Sequence, residues 1–115
     1  MPTAEHDILH RLAEDLHTAA WLLPADDALR GHLEMLGALP SRMDAWEEVL
    51  RPWLHAVRGG ALPSFDSPPR LAAAGAIALA TARAARELHE EDPVGVTLRC
   101  MARWCARSAG APTHS

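Results

Sequence analysis

The sequence predicts an all-α protein, a compact bundle of four to five helices around a central Ala-rich helix over about residues 67–91. Three observations predict it. Apolar residues recur every three or four positions in each segment, the spacing of one helix face, and nowhere alternate as a strand requires. Leu-Pro dipeptides at Leu23-Pro24, Leu39-Pro40 and Leu62-Pro63 punctuate the chain, each followed within a few residues by an Asp or Ser able to cap a helix. The stretch SPPRLAAAGAIALATARAARELHEED, Ser67 to Asp92, is small or apolar through its middle around most of its circumference. A helix of that kind calls for other elements around it.

The first helix is expected over about Ala4–Leu22, with Thr3 as N-cap, Glu5 and Asp7 near its positive end, and Ile8, Leu9, Leu12, Leu16, Ala20 and Leu23 as its apolar stripe. A short second helix, about Asp27–Leu36, presents Leu29, Leu33 and Leu36. The third opens at Ser41, with Asp44 three residues on as a partial capping box, and turns Met43, Trp46, Leu50, Trp53, Leu54 and Val57 inward. Pro52 removes a backbone donor inside that pattern and is expected to kink or split the helix, which Gly59-Gly60 then stops. Residues 61–69 make the longest non-helical segment. The fourth helix starts at the Ser67 cap, with Pro68 and Pro69 where missing donors cost little, and Asp92-Pro93 breaks the chain after it. The fifth, Val94–Ser108, places Val94, Leu98, Met101, Trp104 and Cys105 inside and Arg99, Arg103 and Arg107 outside. ALPS occurs at both 38–41 and 61–64, but the following residues diverge, so it reads as reused stop-and-start chemistry rather than duplication.

A length of 115 residues suits one helical domain, residues 1–108, with a disordered tail over 109–115. All eleven basic residues are Arg, and with abundant Ala this reads as the codon bias of a GC-rich bacterial genome. The net charge of −4 is unevenly spread: residues 1–66 carry five Arg against eleven acids, residues 67–115 six Arg against four. The chain therefore lacks the basic excess of a nucleic-acid binder. The acidic start MPTAEHD does not resemble a signal peptide, and the apolar run Leu71–Ala82 is shorter than the ~20 residues a membrane span takes. Cys100 and Cys105, five apart on one helix, lie roughly 8 Å from each other, beyond disulfide reach. A cytoplasmic setting follows as the expectation.

Three constellations carry candidate chemistry. His6, His10 and His17 fall within ~40° of each other on the first helix, with Glu14 beside them, a set that suits a transition metal if the donors converge. Arg99, Arg103 and Arg107 form a stripe, with Arg83 and Arg86 on the preceding helix, suited to a carboxylate, a phosphate or an acidic partner. Trp46 and Trp53, two turns apart, are core anchors first and partner contacts second. No nucleophile–base pair, Gly-rich phosphate loop or CxxC motif is present, although His32, His55 and His89 lie on different segments that folding can bring together. The sequence thus favours a small accessory or interaction protein without a required cofactor. It would dock helical faces on a second copy of itself or a larger enzyme, such as one of a bacterial biosynthetic pathway, through Trp46, Trp53, Arg99, Arg103 and Arg107. The alternative is a small helical enzyme or metal protein using His6, His10, Glu14 and His17.

Overall fold

Five helices form: α1 (Thr3–Ala20), α2 (Ala28–Gly37), α3 (Met43–Gly59), α4 (Pro68–Glu87) and α5 (Pro93–Ser108). The structure is a computed structural model and describes residues 3–40, 42–59 and 67–108, excluding the side chains of residues 3, 4, 53, 54, 56–59 and 108. It is all-α as the sequence predicts, with no strand among the described residues. The expected cap at Ser41, the segment 60–66 with Phe65, the inward side chains of Trp53, Leu54 and Val57, and the tail 109–115 lie outside the described residues.

Local chemistry sets the helix ends. Thr3 is the first helical residue of α1 rather than its cap. Beyond Ala20 the amides of Trp21, Leu22 and Leu23 donate to the carbonyls of Thr18, Ala19 and Ala20, each at 3.1 Å, a tightened turn that satisfies the last carbonyls before Pro24. Asp27 caps α2, accepting from the Leu29 amide at 2.9 Å. Ser67 caps α4, accepting from the Arg70 amide at 3.4 Å, with both prolines in the first turn. Asp92 accepts from the Val94 amide at 3.0 Å at the start of α5.

Two further expectations are corrected. Pro52 does not split α3, which runs unbroken through it. Pro52 and Glu48, whose carbonyl loses its amide partner, are both exposed, so water can solvate the freed carbonyl. The Ala-rich helix ends at Glu87, not near residue 91. Leu88 leaves the helix in an extended conformation with its side chain buried, and the Glu91 amide donates to His89 Nδ1 at 3.2 Å while the Asp92 amide donates to the His89 carbonyl. Glu90, Glu91 and Asp92 would also add negative charge to the negative end of the helix dipole.

The helices pack in the order α2–α1–α4–α5–α3, which puts α4 in the middle of the row. One hydrophobic core joins Leu9, Leu12 and Leu16 of α1, Leu29, Leu33 and Leu36 of α2, Trp46 and Leu50 of α3, Ile77 of α4, and Leu98, Met101 and Cys105 of α5. The inner stripe of α4 is small, with Ala73, Ala74, Ala80, Ala84 and Ala85 buried. Buried Thr81 donates its hydroxyl to the Ile77 carbonyl at 2.7 Å, which satisfies its one polar group. Antiparallel α1 and α4 are also stitched at their edge by Arg83–Asp15 at 3.7 Å and Arg11–Glu87 at 3.5 Å. α4 is covered on most of its circumference, and one outward stripe stays open, carrying Leu79, 70% exposed, and Ala72, Arg83 and Arg86, all exposed. Among the described residues, no helix is long and apolar enough to cross a membrane.

Candidate functional site

The structure separates the residues the sequence groups together. Trp46 is fully buried, and its indole N–H donates to the Pro40 carbonyl at 3.0 Å, so it anchors α3 to the preceding turn and offers no surface to a partner. The Trp53 side chain lies outside the described residues, so the expected contact through this pair has no support.

On α1, the rings of His6 and His10 lie nearly parallel, with centroids 6.3 Å apart and planes inclined by 14°. His10 Nε2 sits 3.7 Å from Glu14 Oε2, and His6 Nδ1 sits 3.8 Å from Asp7 Oδ1, all on exposed side chains. His17 leaves the group and meets Trp21 edge-on, with centroids 6.3 Å apart. A shared metal needs nitrogen lone pairs converging at about 2.0–2.1 Å from one point, whereas stacked rings present parallel faces. Among the described residues no three His, Cys, Asp or Glu side chains are placed to hold a metal. His55 and His89 are exposed on different segments, and with His32 they form no such group.

The arginine stripe divides. Arg99 donates from Nη1 to the Glu90 carbonyl at 3.1 Å and from Nη2 to the Ala85 carbonyl at 3.4 Å, so it caps the carboxyl end of α4. Arg103 and Arg107 remain exposed. Arg86, Arg99 and Arg103 together border an open cleft of about 230 Å³ between α4 and α5, floored by Ala82, Ala85 and Ala102. No carboxylate among the described residues pairs with Arg86, Arg103 or Arg107. In α5, burial pushes the Cys105 thiol up to about 12, which leaves it protonated and unreactive. Both cysteines are free thiols.

A second groove, of about 270 Å³, runs between α1 and α4, lined by Thr18, Ala19 and Leu22 on one side and by Ala76, Leu79 and Ala80 on the other. Leu22 is 47% exposed and Leu79 70%. The two clefts flank the outward face of α4, making one surface with an apolar centre and arginines at the carboxyl end of the helix. Sequence reasoning centres the contact on Trp46 and Trp53 and so misses this stripe. A signal was present: Leu79 shares its side of the helix with Arg83 and Arg86, four and seven residues on, which marks that side as facing water.

The turn between α1 and α2 is tied to the amino end of α4. Asp27 receives two bonds from Arg70, Nε to Oδ2 at 2.9 Å and Nη2 to Oδ1 at 3.0 Å, joining the start of α2 to the first turn of α4. Hydrogen bonding from Arg70 holds the Asp27 carboxyl below its ordinary value, against a smaller upward push from burial, with the Leu29 amide adding to the lowering. Arg30 supports the same turn, donating to the Leu23 carbonyl at 3.2 Å and lying 5.0 Å from the centroid of the Trp21 ring. Compared with known proteins, the chain matches no family model, no curated protein and no solved structure.

Proposed function

We propose that this chain is an interaction protein that docks a protein partner on the outward face of α4. The observation that carries the reading is Leu79, a large apolar side chain 70% exposed midway along the helix, beside a groove that also holds half-exposed Leu22. A leucine in water contributes nothing to folding there, while covering it on association would supply roughly 1.5–3 kcal/mol. The reading moves the contact from the Trp46–Trp53 pair, and from Arg99 and Arg107, to Leu22, Leu79, Arg86 and Arg103.

Native mass spectrometry of protein from an unengineered preparation, with Leu79→Asp beside it, tests the reading. The unaltered chain should carry a second protein chain, of its own or another kind, and Leu79→Asp should lose it with its melting temperature unchanged. A bare monomer, or a complex that survives Leu79→Asp, would overturn the proposal.

A further inference from the structure

Independently of the docking reading, we infer that the cleft between α4 and α5 is a binding site for a small molecule carrying a diphosphate group. The observation behind it is a division among the arginines. Arg11, Arg30, Arg42, Arg51, Arg70 and Arg83 each meet a carboxylate, at 2.9–3.7 Å. Arg86, Arg103 and Arg107 meet none among the described residues, although acids outnumber arginines fifteen to eleven in the chain. The three lie together. Arg86 and Arg103 border the cleft of about 230 Å³ over Ala82, Ala85 and Ala102. Arg103 also borders a second cleft, of about 270 Å³, with Cys100, Trp104 and Arg107. Arg99, Arg103 and Arg107 follow one another four residues apart on α5, a spacing at which like charges repel. An anion held between them offsets that repulsion.

The lining favours an anion in two further ways. No acid lines either cleft. Arg99 covers the Ala85 and Glu90 carbonyls, acceptors at the carboxyl end of α4 that would otherwise repel a negative ligand. The acids of that end do not fill the site. Glu87 pairs with Arg11 on α1, and exposed Glu90 and Glu91, four and five residues beyond Arg86, make no ion pair among the described residues. Single carboxylates tethered this close in the chain leave the arginines vacant, so a ligand has to concentrate more charge in one place. A diphosphate does so with two adjoining phosphates, each able to take a guanidinium fork through two oxygens. The alanine floor leaves room for it between the arginine stems.

Calorimetric titration of pyrophosphate into the full chain at low salt tests the site, repeated on Leu79→Asp so that no docked partner covers the cleft. Pyrophosphate should saturate a single site per chain. Arg86→Gln and Arg103→Gln should each weaken it about tenfold while circular dichroism shows an intact fold, since both side chains are exposed. Arg51→Gln, on the exposed Arg51–Glu47 pair of α3, controls for general surface charge and should change binding by less than about twofold. Tricarballylate, with three carboxylates and no phosphate, should bind at least about tenfold more weakly than pyrophosphate. Absence of saturable binding, an equal loss in Arg51→Gln, or unchanged affinity in both cleft variants overturns the inference. Tricarballylate binding as tightly as pyrophosphate overturns the assignment to a diphosphate. Docking and anion binding fail separately, because Leu79 does not line this cleft: Leu79→Asp should release a docked protein and keep pyrophosphate.

Discussion

Asp27 shows how one side chain can serve two elements. One oxygen accepts from the Leu29 amide, and both accept from the Arg70 guanidinium, 43 residues away. The cap was legible in the sequence, because Asp before an apolar-periodic segment is a local signal. The pairing was not, since nothing in a single sequence matches one arginine among eleven to one acid among fifteen. Asp27→Asn separates the two roles, because Asn caps about as well as Asp but removes the charge. Both partners are largely shielded, with side chains 10% and 22% exposed, so the variant should lose about 1–3 kcal/mol at neutral pH. The pH dependence has a fixed sign. The folded carboxyl titrates below its ordinary value of 3.8, so its stabilisation is complete above about pH 4 and is lost as pH falls through the lower folded value. Urea unfolding of both proteins from pH 7 downward should show their curves converging only in acid. A gap that stays constant into strong acid would show that the charge plays no part.

At the scale of the element, two helical glycines look alike in sequence and differ in space. Gly37 ends α2 where it crosses α1: a Cβ there would sit 2.9 Å from His17 Cβ and 3.2 Å from the Ala13 carbonyl oxygen. Those atoms belong to a packed helix and have little room to yield, so Gly37→Ala should destabilise by about 1–3 kcal/mol. Gly75→Ala should stabilise the monomer by about 0.5–1 kcal/mol, since its Cβ meets open space and alanine favours the helix. Equilibrium unfolding of the two variants checks both signs, and a destabilised Gly75→Ala monomer would contradict the open face. The apolar stripes of α1 and α2 and the caps at Asp27 and Ser67 were legible because each depends on spacing within one segment. Passage through Pro52 and the end of α4 at Glu87 were less so, because they depend on which side faces water and on a turn built by His89.

At the scale of the whole molecule, the charge imbalance between the two halves becomes a seam. Arg11 and Asp15 on α1 meet Glu87 and Arg83 on α4, and Asp27 at the start of α2 meets Arg70 in the first turn of α4. The sequence showed that the halves differ in charge; it did not show that the seam is mixed, with each helix contributing both signs. Nor did it show that the middle helix keeps an open side, because small residues can line either a packed interior or a surface awaiting a partner. The two outer pairs are long and exposed on both sides, and pairs of that kind contribute about 0–1 kcal/mol. The apolar packing of buried Ala80, Ala84 and Ala85 is not screened by salt, so raising salt from about 0.05 to 0.5 M should lower monomer stability by less than about 1 kcal/mol. The loss in Asp27→Asn should survive that salt, because its pair is shielded from solvent. Urea unfolding at the two salt concentrations makes the comparison. A fall of several kcal/mol in the unaltered protein would mean that charge, rather than the small-residue core, holds the halves together.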